Sequence, residues 1–383
     1  MAATALSISR GAIPSVNDWR DQIRVWDRGV RHVGLDFERS WGAVGTTVGT
    51  GRSPRIGRGD RFRKGRVRRG TAAEARTDCK SEASLGDVPI NFRYGKMLRE
   101  VSSWGIGGPA KLFVEVTTPS EMATVLRYCT SHDLRWFVVG KGSNCLFDDR
   151  GFDGCIILNR IDFLENLGMG RYRVGSGYAF NMLGVQCSRE GYSGLEFAGG
   201  IPGTVGGAVY MNAGADGQET GDVVQNVEIV TTRGVSCSLS RDAGELKFEY
   251  RTSPFQKMRD SAVIVAATFE LQPSPDSRQR QRMYLERRKR TQPVSERSAG
   301  CVFRNPGAGC QSAGALIEQA GLKGAAIGGA RISEKHANFL INGGGSKSHD
   351  MQALIALVKE QVHKKFGLWL EDEVLYIPYS HDN

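Results

Sequence analysis

From Gly86 onward, apolar residues come in short runs punctuated by glycine and polar turns, the pattern of a chain that mixes strands with helices. Leu112-Phe113-Val114-Glu115-Val116 predicts a strand, Pro119 to Ser131 a helix with Ser120 near its start, and Trp136 to Gly140 a second strand. That second strand runs straight into Gly140-Lys141-Gly142-Ser143-Asn144. Further strands are predicted at 153–158, 170–175, 225–232, 235–239 and 262–271, with helices at 179–190, 276–290, 312–320 and 348–365. Strand, helix, strand and glycine loop in that order open an α+β or α/β fold. Two prolines with serines and charges at 272–280 make the clearest domain boundary, and no internal repeat is visible. The longest apolar runs, such as Val263 to Ala267, fall far short of the ~20 residues a membrane span needs, so none is expected.

Charge divides the chain in two. Residues 1–80 carry 17 Lys/Arg against 8 Asp/Glu, a net of +9, which leaves about +1 of the overall +10 for everything after them. The basic character therefore belongs to a leader and not to a folded surface. This leader starts with small and hydroxylated residues and is much richer in Arg than in Lys, as organelle transit peptides are. Its acids and its three tryptophans, Trp19, Trp26 and Trp41, depart from that pattern, and a basic nucleic-acid arm is the competing reading. Residues 1–85 are expected to form a disordered extension. The eight cysteines (79, 129, 145, 155, 187, 237, 301, 310) contain no CxxC pair and no regular spacing, so neither a zinc site nor a disulfide framework is expected.

The segment Gly194 to Gly217 places eight glycines among apolar residues, a composition that does not fit a flexible linker. Glycine lets a backbone approach another group closely, and consecutive N–H groups can then converge on a phosphate. With Gly140–Asn144 as a second glycine loop, the pair fits a pyrophosphate gripped from two sides. Neither loop has the GxGxxG or GxxxxGK[ST] spacing of the common nucleotide motifs.

Gly199-Gly200-Ile201-Pro202-Gly203-Thr204-Val205-Gly206-Gly207-Ala208 and its continuation to Gly214 closely resemble the flavin-binding segment of UDP-N-acetylenolpyruvoylglucosamine reductases. Val139 to Asn144 resembles that family's other FAD loop. The resemblance continues in order through Trp104–Ala110, Tyr250–Phe255, Thr291–Pro293, Ala299–Pro306, Ile327–Ala330, Ser333–Asn338 and Leu370–Val374, covering roughly residues 90 to 378. It implies an α+β fold: a vanillyl-alcohol-oxidase-type FAD-binding domain at 86–274, with lobes at about 86–160 and 161–274, and a C-terminal α+β substrate-binding domain at 281–379. The short stretch from Tyr250 to Arg290 resembles the subclass without an added lid.

Reduction of a UDP-sugar enolpyruvyl ether by NADPH through FAD is the activity that this resemblance implies, in peptidoglycan precursor synthesis. The expected flavin contacts are Gly140, Lys141, Gly142, Ser143 and Asn144 in one loop, and Gly200, Ile201, Gly203, Thr204, Gly206, Gly207 and Ala208 in the other. Arg251 is expected to face the enolate that forms as hydride adds, and Glu373 to support the same region, in preference to Glu371. Cys301 stands where the family usually has its proton-donating serine. A thiol, with a reference pKa of ~8.5, is a far stronger acid than an alcohol, so the exchange is compatible with proton donation. Ser298 is the fallback donor. Tyr250, Arg288 and Asn305 are expected at the nucleotide-sugar substrate, and His336 is read as structural. Lys141 and Gly105 depart from residues common in the family, and Lys141 either points outward or adds a cation near the flavin phosphates. No metal, nucleic acid or membrane partner is expected, and the chain is expected to be a monomer. Its product would place it in a plastid, with mitochondrion and cytoplasm as alternatives. A flavin oxidase of another alcohol, sugar or lactone is the rival within the same fold, and a basic nucleic-acid-binding protein the rival outside it.

Overall fold

A computed structural model of the chain describes residues 90–307 and 309–380. The basic extension expected over 1–85, and Cys79 within it, lie outside the described residues.

The first lobe is a four-stranded sheet in the order Lys96–Met97, Pro109–Val116, Phe152–Asn159, Trp136–Val139, in which the last three strands run parallel. Its central strand, Phe152–Asn159, is buried on both faces, as parallel sheets are. Alternation decides which core each residue joins: Cys155 and Ile157 pack with the helix Pro119–Ser131, while Ile156 and Leu158 pack with Phe113, Phe147 and Phe152 on the other side. The helix is started by Thr118, not Ser120. Thr118 Oγ1 accepts from the Glu121 N–H at 3.1 Å, and the Glu121 carboxylate accepts from the Thr118 N–H in return.

The second lobe is an antiparallel sheet of five strands, ordered Ser236–Ser240, Val224–Thr231, Ala262–Glu270, Arg171–Gly175, Leu164–Gly168. Helices Phe180–Arg189 and Val205–Met211 contribute Phe180, Leu183, Val205 and Val209 to its core. The helix Ser277–Thr291, expected to follow a domain boundary at 272–280, packs on this lobe. Ser277 Oγ donates to Ser188 O at 3.1 Å, and Arg280 grips the fully buried Glu196 carboxylate at 2.7 Å. The chain leaves the second lobe only after residue 291.

The third lobe is a four-stranded antiparallel sheet, Ser298–Cys301, Phe339–Asn342, Ala330–Ile332, Ala326–Ile327, whose core is shared with helices Ala313–Gln319 and Ser348–Phe366. Trp104, from the first lobe's sequence, is fully buried in that core and donates its indole N–H to Leu340 O at 2.8 Å. After the last helix the chain returns to the first lobe. Leu375–Ile377 pairs in parallel with Cys145–Phe147, directly after the loop Gly140–Asn144.

Candidate active site

The loop Gly140–Asn144 leaves its strand with Gly142 at φ +57°, a conformation that other residues adopt at a cost. A Cβ on Gly142 would stand 2.0 Å from Val101 O, so the tight fit as well as the dihedral requires glycine. Among the described residues no protein group accepts from the backbone N–H of Lys141, Gly142 or Ser143, and all three residues line the same cavity. Free donors on a glycine-bearing turn suit an anion.

The second glycine segment differs from its expected form. Val205–Met211 is helical despite Gly206 and Gly207, because Thr204 Oγ1 caps it and Phe180, Val205 and Val209 anchor it in the core. The N–H of Val205 is given to Tyr178 O at 2.9 Å and that of Gly206 to Ser176 O at 2.8 Å. Its glycines thus serve close packing more than anion binding. A Cβ on Gly140 would meet Thr204 Oγ1 at 2.4 Å, on Gly206 it would meet Ser176 Cβ at 2.9 Å, and on Gly200 it would meet Arg288 Cδ at 2.7 Å. The two glycine segments touch where Gly140 faces Thr204.

They enclose a cavity of about 470 Å³. Eleven of the twelve residues expected from the two loops line it, and so do Arg251, Cys301, Glu373, Arg288 and Asn305; Gly200 does not, because the Arg288 side chain packs over it. Arg251 Nε donates to Glu373 Oε1 at 2.8 Å, joining residues 122 positions apart. The rest of its fork goes to Gly214 O at 3.0 Å and Asn212 O at 3.4 Å. Burial raises the Glu373 carboxyl above its ordinary value, and the Arg251 charge opposes that rise. Burial likewise pushes the Cys301 thiol up to about 12, with Glu373 adding to the shift while Arg251 and Arg288 reduce it. Cys301 is therefore a protonated thiol at neutral pH. It remains the stronger acid than an alcohol, by a smaller margin than its reference value indicates.

Burial draws the Arg288 guanidinium below its usual value, and no described residue hydrogen-bonds its side chain. Such a donor, facing a cavity, suits a phosphate. Lys141 is exposed at the cavity rim. Asn305 Oδ1 is occupied by the Ala313 N–H at 3.1 Å.

Four placements refine the sequence reading. Tyr250 does not line the cavity. Its half-exposed ring lies 4.9 Å from the Arg251 guanidinium, and its hydroxyl accepts from the Asn305 N–H at 3.2 Å, so it braces two site residues. Ser298 is also outside the lining, since the strand Ser298–Cys301 turns Cys301 and not Ser298 inward. Glu371 is exposed, with Arg304 at 3.9 Å, and the residues around Glu373 form an isolated bridge, Phe303 to Asp372. His336 packs edge-on against Phe339 and accepts from the Asn338 N–H, and burial draws its pKa down, so it is neutral and structural.

Sequence reading missed Arg259 and Gln292, both in the lining. Arg259 sits over the Phe137 ring at 5.7 Å, and Gln292 holds a buried amide oxygen without a protein partner. Gln292 stands in the Thr291–Pro293 block, which marks it without assigning it a role, whereas nothing in the local sequence distinguishes Arg259 from a surface residue. Among the described residues no cluster of three or more His, Cys, Asp or Glu could hold a metal.

Residues 110–240 match the family described as FAD binding domain, and residues 292–377 the C-terminal domain of UDP-N-acetylenolpyruvoylglucosamine reductase. The chain is 51% identical over 293 residues to the UDP-N-acetylenolpyruvoylglucosamine reductase of Protochlamydia amoebophila, covering 76% of this chain and 96% of that one. It is 47% identical over 291 residues to the reductase of Chlamydia trachomatis serovar A, covering 76% of this chain and 98% of the relative. The crystal structure of the reductase from Thermus caldophilus superimposes with a TM-score of 0.62 at 32% identity, over 76% of this chain and 99% of that one. This chain belongs to the UDP-N-acetylenolpyruvoylglucosamine reductase family, a family of oxidoreductases.

Proposed function

We propose that the chain reduces UDP-N-acetylglucosamine enolpyruvate to UDP-N-acetylmuramate, with FAD as its cofactor and NADPH as its reductant. The observation that carries this reading is the meeting of Arg251, Cys301 and Glu373 in a cavity that both glycine segments line. The residues fit a flavin dinucleotide: Lys141, Gly142 and Ser143 offer unpaired N–H donors to its diphosphate, and Gly140 lets the two loops close against each other at Thr204 beside the cavity. When bound, the flavin supplies the hydride chemistry between NADPH and substrate.

The chain's own residues do the remainder. Addition of hydride to the vinyl carbon moves negative charge onto the substrate carboxylate, and the Arg251 guanidinium is the group placed to hold it. Glu373 orients that guanidinium through their 2.8 Å hydrogen bond. The Cys301 thiol gives its proton to the carbon that bears the ether oxygen, and the thiolate left behind, a strong base in this buried setting, is reprotonated from water. Arg288 serves the diphosphate of the nucleotide sugar.

A purified protein with a flavin spectrum, bleached by NADPH and recoloured anaerobically by the enolpyruvyl substrate, is the expected result. Bleaching without recolouring would overturn the substrate assignment in favour of another flavin oxidoreductase. For the leader we propose plastid import, which its small, hydroxylated and Arg-rich composition supports, and a fluorescent fusion carrying residues 1–85 that stays outside plastids would sink it. We also propose that the chain acts as a monomer with neither nucleic-acid nor membrane partners.

A further inference from the structure

The hairpin that leaves the second glycine segment, Gly214–Ala215 paired with Gln218–Glu219, closes on the cavity beside Arg251. We propose that Glu219 is a positioning residue that sets the pose of the Arg251 guanidinium, an inference that rests on the reductase reading above. Arg251 needs such a clamp. Its backbone is in the left-handed region at φ +54°, a conformation costly for a side-chain-bearing residue that the surrounding structure has to hold, and its long side chain has rotamer freedom that only its contacts remove.

The hairpin and the helix cap Asn212 just before it contact the guanidinium at three points. Gly214 O accepts from Arg251 Nη2 at 3.0 Å, Asn212 O accepts from Nη1 at 3.4 Å, and the Glu219 carboxylate lies 3.9 Å from Nη1. Glu219 Oε2 also accepts from Asn212 Nδ2 at 2.7 Å, which fixes the residue whose carbonyl contacts Arg251. One carboxylate therefore supports the fork directly and through Asn212. Glu373 holds the Nε end, so the guanidinium is engaged by two carboxylates, one at Nε and one near Nη1. Glu219 makes no contribution through contact with the reacting carbons. It acts through where Arg251 points.

The test is stopped-flow kinetics on the flavin-loaded enzyme with Glu219→Gln, which keeps shape and hydrogen-bonding capacity while removing the charge, and with Glu219→Asp. Misplacing a catalytic group by about 1 Å costs roughly a hundredfold, so Glu219→Gln is expected to slow recolouring by substrate between ten- and a hundredfold. NADPH bleaching and the melting temperature are expected to hold at wild-type values, and Glu219→Asp to recover part of the rate. Arg251→Lys combined with Glu219→Gln is expected to be little slower than Arg251→Lys alone, because both remove one unit. Wild-type recolouring in Glu219→Gln, equal slowing of bleaching and recolouring, or a fully additive double variant would overturn the proposal. Failure of the wild-type enzyme to recolour with the enolpyruvyl substrate would instead overturn the reductase reading, so the two failures are separable.

Discussion

At the residue scale, Cys301 has the most definite consequence. General acid catalysis contributes about 10²- to 10⁴-fold, so Cys301→Ala is expected to leave NADPH bleaching intact and slow substrate-driven recolouring by at least a hundredfold. Cys301→Ser is expected to retain most of the turnover. The donating form is the thiol, which persists below its pKa and is lost as pH rises through it. With that pKa pushed up to about 12, the thiol should add no basic limb to kcat/KM between pH 6 and 9. A basic limb in that interval that vanishes in Cys301→Ser would contradict this. The order of the motifs made Arg251, Cys301 and Glu373 legible in the sequence, since each stands in a recognisable block. Arg259 was illegible, and Gln292 visible only as a member of the Thr291–Pro293 block, because their place in the cavity arises only when segments from different lobes converge. Tyr250 was placed at the substrate from its block alone, and only the fold shows that its ring is spent on Arg251 and its hydroxyl on Asn305.

At the element scale, strong amphipathic runs such as Pro119–Ser131 and Ser348–Phe366 were readable because periodicity reports burial. The short helix Val205–Met211 was hidden by its glycines, whose low helix propensity is overridden by packing and a threonine cap. The strands of the third lobe, two to four residues each, are too short for a period to register. Two substitutions separate local stability from cofactor retention. Thr118→Ala removes a capping box far from the cavity, so a loss of about 1 kcal/mol in urea unfolding with normal flavin content is expected. Gly142→Ala adds left-handed strain and a clash with Val101 O, so a loss of about 2–4 kcal/mol together with a colourless protein is expected. A yellow Gly142→Ala protein would show that this loop does not govern flavin retention.

At the scale of the whole molecule, three lobes are tied by two long-range devices: Trp104 inserted into the third lobe's core, and the C-terminal strand Leu375–Ile377 returned to the first. Neither was evident from local sequence, because both are pairings between residues more than 200 positions apart. Deleting residues 1–85 is expected to leave turnover within twofold, whereas truncation after Val374 is expected to abolish flavin binding; a colourless leader-deleted protein would refute the first expectation. The second follows from chain order. Leu375–Ile377 is made about 230 residues after its partner, yet that strand supports Cys145–Phe147 beside the flavin loop, and Asn144 Nδ2 reaches Glu373 O at 3.0 Å. A polypeptide stopped before Leu375 therefore holds an unfinished cradle and an unmatched strand edge, so cofactor capture serves as a readout that synthesis has passed Ile377.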